Sequence, residues 1–481
     1  MNQTSDLATD VVVCGCGSSG LIAGLTARYG GASVIMFEKR SAPGGTSLFA
    51  EGMFAVESGM QLRNNISITR EEAFRKHMEY SHWRANGRLV RRFIDESAST
   101  IDWLEQQGVE FEGVEAAKPG GPRVWHVMKG NPITRGAGLI NSLVTNSKQN
   151  GVGICLRTPV KELLVNEENR VIGVIAMDNS GNTVRVDTKA VVISTGGFQN
   201  NKEMLKEYTS AGMAMASYDI DMTGDGIRMA WAVGAAPEGT NVLLGATGIE
   251  GENRGSAIAA IMFQPYLWVN QEGERFCAED ITFSTPFILN AHINQTNGTR
   301  YTIFDENTKI HLMQRGIDRG MGHAKQAGDK LVTLDADLDR GVTQGKVFIA
   351  NTLSELAGKI GVRGEILQAT VDEYNRCCEE GHDRIFAKNP DYLQPVRQAR
   401  FYAVKCHLSL HCTLGGIKIN DKTEVLNKKG GIIPGLYAVG NCAGGLYGDT
   451  YDIGNTTGGA LGFAVNSGRI AGKNILQYIG L

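Results

Sequence analysis

The stretch VVVCGCGSSGLIAGLTARYGGASVIMFE, from Val11 to Glu38, decides the fold. Its β-branched run Val11 to Val13 reads as a short strand buried on both faces. Gly15, Gly17 and Gly20 follow with G-x-G-x-x-G spacing. In that pattern Gly15 permits the tight turn, Gly17 lets the backbone approach a pyrophosphate, and Gly20 lets the helix Leu21 to Tyr29 pack closely on the strand. The phosphates then face a helix N-terminus, with Ser19 beside them, where free N–H groups and the dipole favour negative charge. Ala32 to Phe37 reads as a second strand. Glu38 at its end lies 23 residues past Gly15, placed to take a ribose hydroxyl pair, and an acid there argues against a 2′-phosphate. On its own the stretch admits NAD or FAD.

Working outward, 481 residues exceed the usual single domain, so two domains are expected. Lys and Arg number 48 against 51 Asp and Glu, a net charge of −3 without a basic block, which makes nucleic acid and anionic membrane poor partners. The 61 glycines have no period and so point to tight turns and close approaches of backbone to a ligand. MNQTSDLATD has neither a basic region nor an apolar core, so no signal peptide is expected, and no apolar run reaches membrane-spanning length. Nine cysteines without metal-type spacing read as reduced thiols of a cytoplasmic protein, with no metal site. No C-x-x-C-H occurs, so no c-type haem is expected.

After Glu38 and Lys39, the segment Arg40 to Leu48 forms a second glycine turn whose backbone, at Gly45 and Thr46, can reach the same cofactor. Residues 70 to 107 read as amphipathic helix broken at Asn86-Gly87, with Gln107-Gly108 as C-cap. Val160 to Val174 and Val184 to Val186 read as strands, with Asp178 to Asn182 as a hairpin turn. Ala190 to Phe198 returns as a buried parallel strand ending at Gly196-Gly197. Asn200 to Met204 opens a helix, and Thr223-Gly-Asp-Gly226 starts another, with Asp225 either binding cofactor hydroxyls or capping the helix.

These motifs carry a resemblance. E-K-x-x-x-P-G-G-T-S from Glu38, S-T-G-G-F from Ser194, T-G-D-G from Thr223, R-F-x-x-E from Arg275, T-L-G-G from Thr413 and G-L-Y-A-V-G-N from Gly435 resemble the flavoprotein family of soluble fumarate reductases and 3-ketosteroid dehydrogenases. The match runs over nearly the whole chain. It implies an α/β fold: a Rossmann-like domain holding non-covalent FAD, interrupted by an α+β cap, with substrate between cap and flavin. The FAD domain is then placed at about 1 to 238 plus 400 to 481, and the cap at 239 to 399. Within the cap, Ile258 to Val269 and Arg300 to Phe304 contain strand-like runs, and Leu353 to Lys359 and Ile366 to Cys378 read as helices. FAD chemistry moves a hydride to or from N5 while the protein orients and supplies protons. The segment Gly440 to Gly459, with Asn441, Thr457 and Gly458, ends at a helix Ala460 to Ile479 whose free N–H groups can face the flavin pyrimidine oxygen.

Departures from the family bear on substrate. Fumarate reductases clamp two carboxylates and deliver a proton from an arginine. Counting from Gly468-Arg-Ile-Ala-Gly472, the clamp arginine falls on Asn455; the clamp histidine before Thr413 falls on Cys412, with His411 beside it; the proton-donor arginine falls on Lys309. Two cationic partners are missing, and a charged hydrogen bond is worth ~1.5–3 kcal/mol, so fumarate is argued against. The carbonyl-polarising tyrosine of the ketosteroid enzymes falls on Tyr451, but their proton-abstracting tyrosine falls on Phe283. A pocket of Tyr451, Asn455, His411 and Lys309, with Phe283 and Trp268, suits a neutral ring substrate. His411 and His126 read equally as scaffold, and Glu279 as a partner of Arg275.

The expectation is a cytoplasmic FAD enzyme that reduces, or in reverse oxidises, a ring substrate near an oxygen function. Tyr451 polarises that oxygen, and Lys309 or His411 handles the proton. The family implies steroid and isoflavonoid reductases of anaerobic bacteria, of the tetrahydrodaidzein reductase kind. Two further readings stand beside it: a reductase of an unsaturated monocarboxylate held by Lys309 and His411, and a flavin-holding subunit without turnover. The electron donor is expected to be external.

Overall fold

The computed structural model of the chain describes residues 5–117, 120–131, 134–322 and 324–481, so the first four residues of the N-terminal reading lie outside the described residues. Two compact units divide the chain: Met1–Thr209, Tyr218–Leu244 and His411–Leu481 form the larger, Ser210–Ser217 and Gly245–Leu410 the smaller.

In the larger unit Val11, Val12 and Val13 are fully buried, because their strand Ser5–Cys14 has a parallel neighbour on each side, Val34–Phe37 and Thr183–Ile193. The sheet runs Glu424–Leu426, Ile432–Ala438, Thr183–Ile193, Ser5–Cys14, Val34–Phe37, Gly153–Cys155. Its four inner strands are parallel, with buried apolar runs at Val11–Val13 and Ala190–Ile193, the pattern of a sheet covered on both faces in a Rossmann-like α/β fold. The helix Ser18–Tyr29 packs against the final helix, Gly459–Ile479. Glycines permit that approach: a Cβ at Gly468 would lie 2.5 Å from the Ser19 carbonyl oxygen, and one at Gly472 would lie 2.6 Å from Thr26 Cβ.

The amphipathic region is two helices, Arg70–Tyr80 and Gly87–Gln106. Asn86 starts the second by accepting the Leu89 N–H at 3.3 Å, and Gly108 leaves it at φ +84°. Val160 to Val174, read as one strand, is instead a hairpin of Val160–Val165 and Val171–Met177. Its turn is organised by Asn166, whose side chain accepts the N–H groups of Glu168 and Arg170 at 3.2 and 2.9 Å, local competition with the ladder that the flanking β-branched residues conceal.

In the smaller unit Thr299–Asp305 lies antiparallel between Leu267–Asn270 and Phe401–Thr413. The helices Leu353–Ile360 and Gly364–Glu380 form as expected. Ile258 to Val269 contains a strand, Leu267–Asn270, but its first residues belong to a helix, Ala257–Ile261. Ser256 caps that helix on the Ala259 N–H at 3.1 Å. Every residue of the run is buried, so it has no polar face from which a period could be read. Trp268, expected to line a pocket, is buried in the core with the Arg300 guanidinium 3.8 Å over its ring. Among the described residues no helix is long and apolar enough to cross a membrane.

Candidate active site

The dinucleotide loop begins where the central strand ends. Gly15 has φ +105°, and a Cβ on it would lie 2.6 Å from the Ser194 carbonyl oxygen. A Cβ on Gly20 would collide with the Gly15 carbonyl oxygen and Ser194 Oγ. Gly17 differs: its added Cβ would meet only the Gly44 carbonyl oxygen, at 3.7 Å, so the space beside it is open to a ligand. The second glycine turn lies alongside, with the Gly44 N–H donated to the Cys16 carbonyl at 2.9 Å. Gly44 and Gly45 both have positive φ, +132° and +55°, and Thr46 follows in the short helix Gly45–Phe49.

Glu38 accepts the Cys16 N–H through Oε2 and the Arg40 N–H through Oε1, each at 2.9 Å. One lone pair of each oxygen remains for a ribose diol. Lys39 Nζ is bound to Thr223 Oγ1 at 2.7 Å and Asp225 Oδ2 at 2.9 Å. Asp225 sits in the first turn of the helix Asp225–Ala232 without capping it. Burial opposes its charge, but Lys39, Thr223 and Arg228 hold its carboxyl below the ordinary range. Lys39 and Asp225 thus hold each other. Gly196 turns at φ +75°, and the Asn441 carbonyl accepts the Gly415 N–H at 2.9 Å.

At the far end of the chain, Thr457 Oγ1 donates to the Ile453 carbonyl at 2.7 Å. Gly458, at φ +77°, is the residue before the helix, and a Cβ there would lie 2.8 Å from the Met53 backbone. The Ala460 N–H donates to Tyr451 Oη at 3.4 Å. This leaves the tyrosine proton to be given to another acceptor and polarises it from the helix end. Burial nonetheless keeps the Tyr451 phenol well above its ordinary pKa, so it is neutral.

Four residues on, Asn455 donates through its amide nitrogen to both oxygens of Asp452, at 3.3 and 3.0 Å, and its backbone N–H adds a third bond at 2.9 Å. Asp452 is fully buried. Desolvation raises its pKa, opposed by those bonds and by His77. His77, on the helix Arg70–Tyr80, meets the Leu446 carbonyl through Nε2 at 2.7 Å, and burial lowers its pKa. Between them stands Tyr447, its ring centroid 5.3 Å from that of Tyr451 and 6.2 Å from that of His77. Its hydroxyl is buried without a hydrogen-bond partner among the described residues. Sequence reasoning passed over Tyr447 because it lies within a glycine-rich run; the signal was a second tyrosine four residues before Tyr451. Cys412 is buried, and desolvation pushes its thiol up to about 12.

His411 lies beside a ring column, its centroid 5.7 Å from Tyr218, which stacks on Phe49 at 4.0 Å. Tyr451 directly precedes the turn that Asp452 opens and Asn455 lies within. Lys309 belongs to the smaller unit, where its Nζ pairs with Glu306 at 2.8 Å and Asp335 at 2.9 Å. Burial works against that charge, but the two carboxylates outweigh it and hold Lys309 above the ordinary lysine range. In the same unit Glu279 is bound bidentately by Arg275, both bonds 2.9 Å. His126 is scaffold: its Nε2 meets Ser58 Oγ at 2.7 Å, and burial lowers its pKa to about 4.

A family profile described as FAD binding domain matches residues 10–457. The chain is 36% identical over 482 residues to a vinyl phenol reductase of Lactiplantibacillus plantarum, covering 98% of this chain and 96% of that one. It is 28% identical over 445 residues to an NADH:fumarate oxidoreductase of Klebsiella pneumoniae, 91% of this chain but 45% of that protein, so it spans under half of that relative. The fold matches that of 3-ketosteroid Δ1-dehydrogenase from Sterolibacterium denitrificans with a TM-score of 0.80 at 20% identity, covering 98% of this chain and 99% of that one.

Proposed function

The chain belongs to the FAD binding domain family and is an FAD-dependent oxidoreductase, and on that premise we propose that it reduces a carbon–carbon double bond conjugated to a neutral, oxygen-bearing ring. The open space at Gly17, the two glycine turns and the Glu38 carboxylate fit the pyrophosphate and adenosine ribose of FAD. When bound, FAD supplies the hydride chemistry. Tyr451 donates a hydrogen bond to the ring oxygen, and the proton that completes the reduction at the second alkene carbon comes from solvent; Asn455 lies four residues on.

The observation that carries this reading is that the turn from Tyr451 to Thr457 holds no cationic side chain. Where the fumarate reductases present arginine and histidine, this chain has an amide committed to Asp452 and a thiol that burial keeps protonated. A carboxylate placed there would be taken out of water with no cation of the turn to offset it. The monocarboxylate alternative calls on Lys309, which already holds two carboxylates of its own unit. The relative that acts on vinyl phenols favours a hydroxylated aryl alkene within the class, ahead of ketosteroids and isoflavonoids. We place the electron donor outside this chain.

The test is anaerobic reoxidation of the photoreduced holoprotein by a panel of vinylphenols, isoflavonoids, ketosteroid enones and aryl enoates. Reoxidation by one or more neutral compounds is expected. Turnover restricted to the acids contradicts the proposal.

A further inference from the structure

Tyr447 has no part in the function proposed above, yet its side chain, 4% exposed, carries a hydroxyl that no described residue pairs. Burying a hydroxyl unpaired is unfavourable, and a native structure that keeps one calls for a reason. Burial also holds the Tyr447 phenol well above its ordinary range, so it is neutral and has a proton to give. The ring is set by its neighbours, its plane inclined 58° to that of Tyr451 and 62° to that of His77.

The hydroxyl lies at the start of the final helix. A Cβ built on Gly459 would stand 3.7 Å from Tyr447 Oη and 3.3 Å from Thr456 Oγ1, so one further atom fits in front of Gly459 in contact with both hydroxyls. Tyr451 Oη meets the same peptide unit from its other end, 3.4 Å from the Ala460 nitrogen. The two tyrosine hydroxyls therefore flank the peptide that joins Gly459 to Ala460. Thr456 gives its proton to the Asp452 carbonyl at 2.7 Å, and the Gly459 and Ala460 N–H groups are given to the Thr456 carbonyl and to Tyr451. The side-chain protons left at this spot are those of Tyr447 and Tyr451. No acid stands in the first turn of the helix, and no side chain caps it, so the positive end of its dipole favours an oxygen there.

We infer that Tyr447 is a further catalytic residue, whose hydroxyl donates a second hydrogen bond to the substrate oxygen that Tyr451 binds, in the opening before Gly459. The inference rests on the functional reading above, in which Tyr451 holds that oxygen. A group kept unpaired in the free protein is an interaction reserved for the ligand, and a ligand without the oxygen leaves it unpaired still.

Recognition is tested apart from turnover with ligands that have no alkene to reduce. 4-Ethylphenol, 4-ethyltoluene and 3-(4-hydroxyphenyl)propionate are titrated into the oxidised holoprotein of the unaltered chain and of Tyr447→Phe. Binding is read from the flavin difference spectrum and by calorimetry. The phenol is expected to bind at least tenfold tighter than 4-ethyltoluene, in which a methyl group replaces the hydroxyl. In Tyr447→Phe that advantage falls to about threefold or less, through weaker binding of the phenol and not of the hydrocarbon. The variant apoprotein is expected to unfold at the same temperature or higher, because a buried unpaired hydroxyl has been removed; a hydroxyl with a merely structural role would lower it. An undiminished preference for the phenol in flavin-loaded Tyr447→Phe overturns the inference and leaves the functional reading standing, as does equal binding of the two neutral ligands by the unaltered chain. A shifted flavin spectrum and reduction potential in the ligand-free variant, with the preference intact, gives the hydroxyl to the cofactor and likewise overturns it. Binding of the acid alone, or of none of the three, overturns the functional reading and the inference with it.

Discussion

Gly17 and Gly20 are three residues apart in one motif, yet the structure separates their duties. A methyl group at position 20 collides with backbone, whereas one at position 17 meets only a distant oxygen. Gly20→Ala is therefore expected to lower the yield of folded protein. Gly17→Ala is expected to leave the unfolding free energy of the apoprotein within about 1 kcal/mol while lowering the ratio of flavin to protein absorbance after purification. At the other end of the site, Tyr451→Phe removes a hydrogen bond donated to the ring oxygen. A loss of roughly 10- to 100-fold in kcat/KM on the true substrate is expected, with flavin content unchanged; an unaltered kcat/KM would remove Tyr451 from the mechanism. The glycine motif and Glu38 were legible because each follows from backbone geometry within one βαβ unit. The Asn455–Asp452 couple was not, since a spacing of three residues in a glycine-rich run looks like any other turn until the side chains are placed.

Elements that enclose the cofactor domain meet at close range. The final helix crosses the first through Gly468 and Gly472, and alanine there has the better helix propensity by about 1 kcal/mol but no room. Gly468→Ala is expected to cost ~1–3 kcal/mol in thermal or denaturant unfolding, the opposite sign from propensity alone. A second element carries a pH dependence. His126, on the strand Trp125–Met128, is held near pKa 4 by burial against an ordinary 6.5, with backbone carbonyls opposing only in part. A depressed pKa means that the folded state prefers the neutral ring, so its contribution is complete above pH 6.5 and is lost as pH falls toward 4. The change amounts to up to about 3 kcal/mol. Unfolding temperature should fall over that window, and His126→Gln should flatten the slope. Sequence periodicity found the helices of 70–107 because they are amphipathic. It did not separate helix from strand within Ile258 to Val269, where full burial leaves no polar face, and it missed the turn at Asn166, where one side chain makes a β-branched run a hairpin.

Across the whole molecule, the larger unit could be read from its opening motif onward, and the family resemblance extended that reading over the chain. The smaller unit was less legible. Its buried charge cluster joins Arg275 and Glu279 to Asp383 and Lys388, partners more than a hundred residues apart whose pairing no spacing announces. The same limit applies to Lys309, which as a sequence position suggests a proton donor and in the fold is tied to Glu306 and Asp335. The central claim is that a neutral oxygenated ring, not an acid, carries the double bond to the flavin. The most direct measurement is stopped-flow reoxidation of the photoreduced holoprotein by 4-vinylphenol and by 4-hydroxycinnamate, which share the hydroxyaryl ring and the alkene and differ by one carboxylate. Reoxidation at least tenfold faster by 4-vinylphenol at equal concentration is predicted. Reoxidation as fast or faster by 4-hydroxycinnamate would contradict the account.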